Sequence, residues 1–415
     1  MNSNFGKSVL WNTLGTGLNA FLSLFFMIIV TRVNGLNEAG IFTFSFSSAC
    51  LLYIFGIYSG RIYHVTDRTK TNDKEFILSR LFTSVFMLFI ALIFLLIKDY
   101  TWHKNIVFIV LVLYKSLEAF SDVLYGVLQK NEKLDLVGKS YLSKAISSIV
   151  VFLVVDLITK DIVLSSLAML IVCVLITIVF DYKHTREYLN IEDKITKKNV
   201  VRLFKSGFLV FMISFISVFI VNIPKYVIDQ YLLDDLQAIF GIIIMPATVI
   251  SLFCHFVIHP LLTKISRLCK ENKTKELVSL FNKLLLLIIG FGLLCIVGAY
   301  LLGIPILELI YNVNLSDYKT ELIIVLIAST ISVSAGLISP FLIAMRKNLI
   351  QVIIGFITVI LEFVLSIILV KQYEITGAVY AYLISMIAYF VMFYLSFYII
   401  VNNKKGEWIW IFFIL

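Results

Sequence analysis

Long apolar segments dominate this sequence and constrain its fold more than any other feature. Most of them reach the ~20 residues that an α-helix needs to cross the hydrocarbon core of a bilayer. Backbone groups cannot stay unpaired in hydrocarbon, so such segments predict membrane-spanning helices. We predict an all-α polytopic membrane protein with about twelve spans, at residues 8–32, 38–60, 79–97, 105–129, 139–157, 161–181, 203–223, 236–261, 279–303, 320–345, 349–370 and 376–401.

Composition supports a membrane protein and excludes several other classes. Hydrophobic residues make up 60% of the chain and charged residues only 15%, which is far from the average of soluble domains. The formal net charge of +9 is not evidence for nucleic-acid binding, because the basic residues concentrate in alternate short loops. The five cysteines are scattered without CxxC spacing, so we expect reduced packing residues and no metal or other cofactor.

The distribution of lysine and arginine predicts the orientation in the membrane. If the N-terminus is cytoplasmic, 27 of the 35 basic residues belong to cytoplasmic segments and seven to external segments, while Lys115 lies within a span. Basic residues favour the cytoplasmic side, so both termini are predicted to lie there. Residues 8–32 are interpreted as a retained first helix, because no cleavage site follows at the right distance.

The two halves of the chain carry weak sequence repeats. AGIF at residues 39–42 and QAIF at 237–240 begin spans two and eight, and LQKN at 128–131 and MRKN at 345–348 follow spans four and ten. Six spans per half give both halves the same orientation, which indicates a parallel pseudo-twofold repeat around a central cavity. The predicted organisation is a six-helix lobe at 1–190, a cytoplasmic linker at 191–202, a second six-helix lobe at 203–401, and a short cytoplasmic or interfacial tail at 402–415.

A polar stripe interrupts the fourth predicted span. At ~100° per residue its members fall within roughly 80° of the helix circumference; they are Lys115, Glu118, Asp122, Tyr125 and Gln129. A charge facing lipid costs at least ~2.5 kcal/mol, so this face should contact protein or water.

Two interpretations of the stripe remain open. In the first, it lines a hydrated transport pathway in which Lys115 attracts an anion, Tyr125 stacks on a sugar, and Glu118 or Asp122 carries a coupling ion. This interpretation expects Asp122→Asn to insert normally and to lose transport. In the second, Lys115 and Glu118 form a buried structural ion pair at i, i+3 spacing.

Other charged or titratable residues are candidates near the ends of spans. Arg32 and Lys225 end spans one and seven on the external side, where each either binds substrate or extends to the interface. Arg61 and His259 occupy matching cytoplasmic ends of spans two and eight, where a substrate-binding role and a topological role are both open.

Two further candidates lie within spans of the second half. His255 and His259 have i, i+4 spacing, which suits a metal. No acidic residue joins them in that span, and its one cysteine, Cys254, is interpreted as a packing residue, so a polar cavity face that titrates is favoured. Glu362 lies near the middle of span eleven, where it is either an ion-coupling residue or a protonated, hydrogen-bonded side chain.

Several segments resemble bacterial polysaccharide flippases of the multidrug/oligosaccharidyl-lipid/polysaccharide exporter superfamily. The resemblance covers nearly the whole chain. It rests on SVLWN at residues 8–12, TRVNGLNEAGIF at 31–42, GIYSGR at 56–61, YGVLQK at 125–130, NIPK at 222–225 and ITGAVYA at 375–381.

The resemblance implies a function in surface-polysaccharide biosynthesis. Such proteins move undecaprenyl-diphosphate-linked oligosaccharide, the repeat unit of O-antigen or capsule, across the bacterial cytoplasmic membrane. The expected partners are this lipid-linked substrate and membrane lipid, with a polysaccharide polymerase or glycosyltransferases as further candidates. A cation-coupled drug or metabolite antiporter of the same superfamily is the alternative. A polymerase or acyltransferase enzyme is disfavoured, because every predicted external loop is short.

Overall fold

The protein is built from α-helices throughout the part of the chain that its structure describes. The computed structural model describes residues 3–58, 60–66, 71–190 and 194–402, and no β-strand occurs within these ranges. Ten helical segments among them are long and apolar enough to cross a membrane.

Two further observations raise the number of membrane spans from ten to twelve in these ranges. The final segment, Asn348–Asn402, comprises two spans, because Glu374 has non-helical backbone angles (φ 50°, ψ −127°). The helix Trp102–Lys130 has 29 residues and is also long enough to span, although it carries five charged residues. The predicted number of spans is therefore confirmed.

The chain divides into two compact units, Met1–Phe215 and Ile216–Leu415. The first unit contains nine complete helices and the beginning of a tenth. They are α1 (Ser3–Ala20), α2 (Leu22–Asn34), α3 (Leu36–Ile57), α4 (Gly60–Thr66), α5 (Asp73–Ile97), α6 (Trp102–Lys130), α7 (Leu134–Thr159), α8 (Ile162–Ile176), α9 (Lys183–Arg186) and α10 (Lys197–Tyr231). A π-helical segment, Thr177–Tyr182, joins α8 to α9.

The second unit begins within α10 and contains the remaining spans. Its helices are α11 (Asp234–Ile244), α12 (Ala247–Ile258), α13 (Leu262–Lys270), α14 (Thr274–Gly298), α15 (Ile304–Tyr311), α16 (Lys319–Gly336), α17 (Ile338–Ala344) and α18 (Asn348–Asn402). Within this unit α16 packs against α14 and α18.

Local sequence signals explain where several helices begin and end. Asn72 and Glu75 form a reciprocal capping box at the start of α5, which satisfies backbone donors that have no partner within the helix. Thr101 and Asp161 cap α6 and α8 with their side chains. The α7 helix ends at Thr159, and the next residue, Lys160, has the left-handed conformation common after helix C-termini.

Helix α6 is the central element of the first unit, where it packs against α3, α5 and α8. Its contact with α3 is close at Gly56, where an added Cβ atom would lie 2.8 Å from the Cβ of Ala119. Small residues allow this approach between helices. Most of the α6 side chains are consequently buried, including Lys115 and Asp122.

The boundary between the two units lies inside a continuous helix. Helix α10 has 35 residues, and the units divide between Phe215 and Ile216. Residues 194–202, which belong to the predicted linker, lie within the first unit. Helix α10 begins at Lys197, within this predicted linker, and the division into lobes and linker stays a prediction.

A buried carboxylate holds the beginning of α10 in the first unit. Glu75 is fully buried and accepts hydrogen bonds from the backbone amides of Asn72 (3.0 Å) and Thr196 (2.8 Å) and from the Asn199 side chain (3.0 Å). Glu75 therefore connects the N-terminal cap of α5 to the first turn of α10 and positions that turn.

Candidate functional site

The polar stripe of α6 begins with an ion pair inside the membrane span. Lys115 Nζ lies 2.6 Å from a carboxylate oxygen of Glu118. The same ammonium lies 4.8 Å from the ring centroid of Phe46 and 5.4 Å from that of Tyr114. Aromatic faces attract a cation, so Lys115 is stabilised by one carboxylate and two rings.

The next acidic residue of the stripe pairs with a cation from another helix. Asp122 accepts a hydrogen bond from Arg80 of α5 at 3.2 Å, and both side chains are nearly buried. Arg80 also donates to the carbonyl oxygen of Gly56 at 3.0 Å. Thr83 donates to that same carbonyl at 2.6 Å, so α3, α5 and α6 meet at this point.

Tyr125 belongs to a third buried network, on the side of α6 that faces α7 and the end of span six. Its hydroxyl group lies 2.7 Å from Ser140 and donates to Asp181. Asp181 pairs with Lys144 at 2.5 Å, and Lys144 also donates to Ser121. Tyr125 is only 1% exposed, so neither face of its ring is open to a sugar in this structure.

Tyr141 connects these pairs electrostatically. It interacts with the charges of Arg61, Glu118, Asp122 and Asp181, and the Arg61 guanidinium lies over its ring at 5.9 Å. We call the charged residues of this region, together with Tyr125 and Tyr141, the first-lobe polar cluster. Its cations are Arg61, Arg80, Lys115 and Lys144, and its carboxylates are Glu118, Asp122 and Asp181.

The first-lobe polar cluster contains one more cation than it has carboxylates. Three cations are paired as described, and Arg61 is the one in excess. Its Nη1 atom is buried and makes no hydrogen bond within the described chain. A buried guanidinium donor without an acceptor is costly, so Arg61 is the position in this cluster where an additional anion would be favoured.

Sequence reasoning missed three charged members of this cluster. Arg80 and Lys144 lie near the predicted cytoplasmic ends of spans three and five and are counted with the 27 cytoplasmic basic residues, and Asp181 is the last residue of predicted span six. Helix α5 begins at Asp73 and α7 at Leu134, several residues before the predicted starts. The Asn72–Glu75 capping box was the available signal for α5, since it marks a helix start that puts Arg80 two turns inside.

A histidine is buried beside the cluster at the predicted cytoplasmic end. His64 stacks on Phe76 with ring centroids 4.0 Å apart, and its Nε2 lies 2.9 Å from Asp73. Asp73 also accepts from Lys130 at 2.6 Å. Burial lowers the pKa of His64 below its usual range, although the Asp73 carboxylate opposes this shift.

The remaining predicted candidates lie elsewhere in the two units. Arg32 is exposed in the last turn of α2. In the second unit, Lys225 is partly buried in α10 and His255 is exposed in α12. His259 begins a short 3-10 turn, and its side chain lies outside the described part of the structure.

Glu362 is fully buried in α18. One of its carboxyl oxygens accepts a hydrogen bond from Ser366 at 3.3 Å. No group of three metal-ligating side chains assembles within the described residues. The roles predicted for Glu362 and for the other site candidates stay predictions.

Comparison with known proteins identifies the family. The model of the family described as "Polysaccharide biosynthesis protein" matches residues 5–266, which is more than half of the chain. The chain belongs to this family. It is also 23% identical to the capsular polysaccharide biosynthesis protein CapF of Staphylococcus aureus over 381 residues, covering 91% of this chain and 95% of CapF.

Solved transporter structures share the fold. An inward-facing multidrug resistance MATE transporter of the MOP superfamily matches with a TM-score of 0.70 at 12% identity, covering 95% of this chain and all of that chain. The lipid II flippase MurJ in an inward closed conformation also has a TM-score of 0.70, at 16% identity, covering 98% and 95% of the two chains. The family resemblance and the all-helical fold expected from the sequence are confirmed, and the protein is a multi-pass membrane protein.

Proposed function

We propose that this protein moves undecaprenyl-diphosphate-linked oligosaccharide repeat units across the bacterial cytoplasmic membrane by alternating access, without chemical change. The observation that carries this proposal is the excess cation of the first-lobe polar cluster. Family membership places the protein in polysaccharide biosynthesis, where the intermediates that must cross a membrane bear phosphate groups and sugars.

Arg61 suits a diphosphate better than the paired cations do. The charges of Lys115, Arg80 and Lys144 are each balanced by a carboxylate at 2.5–3.2 Å, so they would attract an anion only weakly. Arg61 keeps a buried N–H group for which no described residue provides an acceptor. A guanidinium presents its donors as a planar fork that matches two phosphate oxygens.

The fold alone does not select this substrate over a drug. The MATE transporter and MurJ match the chain equally well by TM-score, and both identities are too low to transfer an activity. The family match favours the polysaccharide substrate. Sodium- or proton-dependent drug efflux by the purified protein in liposomes, without movement of lipid-linked sugar, would support the antiporter instead.

Depletion of the protein in its host tests the direction and the substrate together. Complete lipid-linked repeat units should accumulate on the inner leaflet, and surface glycan should fall. Accumulation of incomplete units would indicate an assembly enzyme. An unchanged surface glycan would refute the assignment to its biosynthesis.

Substitution of Arg61 tests the proposed contact. Arg61→Gln should lower export ~10-fold or more, since a charged hydrogen bond contributes ~1.5–3 kcal/mol. Arg61→Lys should retain part of the activity, because it keeps the charge and loses the fork. Arg186→Gln, at an exposed arginine of the same unit, is the control. Normal export by Arg61→Gln at normal abundance would refute the role.

The proposed direction also requires both termini in the cytoplasm. In a cysteine-free background, Asn190→Cys should resist an impermeant thiol reagent in intact cells, and Asp99→Cys should react. Both positions are exposed in the structure. Prompt labelling of residue 190 with protection of residue 99 would reverse the orientation.

A further inference from the structure

The first three turns of α10 present a basic face to an open cavity of about 710 Å³. The cavity is lined by Lys197, Lys198, Val201, Arg202, Lys205 and Ser206, all of which are exposed. At ~100° per residue, the four cations cover about 140° of the helix circumference over ~12 Å of its length. We call this surface the α10 basic groove.

Among the described residues, no carboxylate pairs with the lysines of the groove, whereas other solvent-accessible lysines do have such a partner. Lys130, Lys139 and Lys273 each lie within 3.0 Å of an aspartate or glutamate oxygen. Within the described chain, Lys197, Lys198 and Lys205 form no ion pair. Arg202 donates a hydrogen bond to Thr71 at 2.9 Å, which fixes its guanidinium beside them.

The opposite face of the helix holds the groove in place. Val200 and Leu203 are buried, and Leu203 belongs to a core cluster with Phe76 and Val123. Together with the Glu75 contacts to the first turn, this packing makes the groove a supported surface. The cations are therefore held close together by the fold despite their mutual repulsion.

The cations of the α10 basic groove lie beside exposed apolar side chains, as is expected where a helix meets lipid. Val201 lies among the cations and is 43% exposed, and Phe208 in the next turn is 50% exposed. Exposed apolar residues at the end of a membrane-spanning helix contact acyl chains, whereas cations beside them lie at headgroup depth. A soluble anion would gain nothing from these apolar neighbours.

We propose that the α10 basic groove binds the phosphate headgroup of an anionic glycerophospholipid, with Lys197, Lys198 and Lys205 contacting the phosphate and Val201 and Phe208 the acyl chains. The side of the membrane is the one that the basic asymmetry predicts to be cytoplasmic. This inference does not rest on the transport proposal, because binding is measurable in detergent without any transport or orientation.

The test measures lipid binding to the purified full-length protein in a neutral detergent. Acyl-labelled phosphatidylglycerol should bind by fluorescence anisotropy, and phosphatidylcholine should not. Each basic residue near a membrane surface contributes about fivefold in affinity. The triple variant Lys197→Gln/Lys198→Gln/Lys205→Gln should therefore bind phosphatidylglycerol about 100-fold more weakly. The single variant Lys205→Gln should bind about fivefold more weakly, which keeps the test available if the triple variant does not fold.

A charge-matched control separates a built site from general attraction to basic protein. Lys264→Gln/Lys270→Gln/Lys275→Gln removes the same charge from exposed positions of the second unit and should leave the affinity unchanged. An equal loss in both triple variants would overturn the proposal, as would equal binding of phosphatidylcholine. Displacement of the lipid by an equimolar amount of inorganic pyrophosphate would also overturn it, because the groove would then be a site for free phosphate.

Discussion

Asp122→Asn is the substitution that best separates the two interpretations of the α6 stripe. A stripe that lines a wet pathway tolerates neutralisation, so the variant would insert normally and lose only transport. In the structure Asp122 is the partner of Arg80 at 3.2 Å, and the two side chains are 10% and 7% exposed. The variant should therefore lose stability as well.

The expected loss of stability depends on which hydrogen-bond acceptors remain around Arg80 in the variant. Breaking a buried ion pair by removing one partner costs ~3–5 kcal/mol, because the other charge stays buried. Asparagine keeps an oxygen that can accept from Arg80, and the Gly56 carbonyl still accepts from it at 3.0 Å. Asp122→Asn should therefore lower the free energy of unfolding by ~3 kcal/mol, and Asp122→Ala should lower it by ~5 kcal/mol.

A double-mutant cycle measures the pair directly. The free energy of unfolding is determined in mixed detergent micelles for Arg80→Met, Asp122→Asn and the double variant. The loss of unfolding free energy in the double variant should be smaller than the sum of the two single losses by at least ~2 kcal/mol, since the residues interact. In the Arg80→Met background the Gly56 carbonyl keeps the Thr83 donor at 2.6 Å, so of the two acceptors of Arg80 it is the Asp122 carboxylate that loses its donor.

The exposed ion pair of Lys273 and Glu271, at 2.9 Å, provides the control. Glu271→Gln should leave the unfolding free energy unchanged, because water solvates both groups. Additive losses at Arg80 and Asp122 would refute the structural pair. Full stability of Asp122→Asn with loss of export would restore the interpretation of a wet pathway.

Three further predictions concern the surroundings of the site. Glu75→Gln should lower the free energy of unfolding by ~1–3 kcal/mol, because a neutral amide cannot accept all the hydrogen bonds from the start of α10. Limited proteolysis of this variant should then cleave near Asn199. The pKa of His64 is lowered in the folded protein, so the unfolded state binds more protons on acidification. The contribution of His64 to the free energy of unfolding should therefore be complete above about pH 6.5 and should fall below that pH. In His64→Gln the thermal midpoint should depend less on pH in that range, and an equal dependence would assign the effect to other groups. Gly126→Ala should cost ~1–3 kcal/mol in unfolding free energy, because its Cβ atom would lie 2.2 Å from His64 Nδ1, whereas Gly290→Ala in α14 has open space around it and should not be destabilising.

The number, order and helical type of the membrane spans could be predicted from the sequence. Hydrocarbon requires each span to satisfy its own backbone hydrogen bonds over about 20 residues, which leaves an apolar run of this length few alternatives to a helix. The stripe of α6 was also visible, since helical periodicity determines which residues share one face. The boundaries were predicted less exactly, because the polar residues that begin α5 at Asp73 precede the apolar run from which the span at 79–97 was predicted.

The partners of the charged residues were decided only by the tertiary structure. Periodicity showed that Lys115 and Glu118 are neighbours on one helix, and that pair is present. The partner of Asp122 is 42 residues away in α5, and the partner of Lys144 is 37 residues away in the segment after α8. A helical wheel gives the direction in which a side chain points along its own helix, but which neighbour faces it depends on how the helices pack. Among the described residues, that packing leaves Arg61 as the excess cation, since each carboxylate of the cluster already has another cation as its partner.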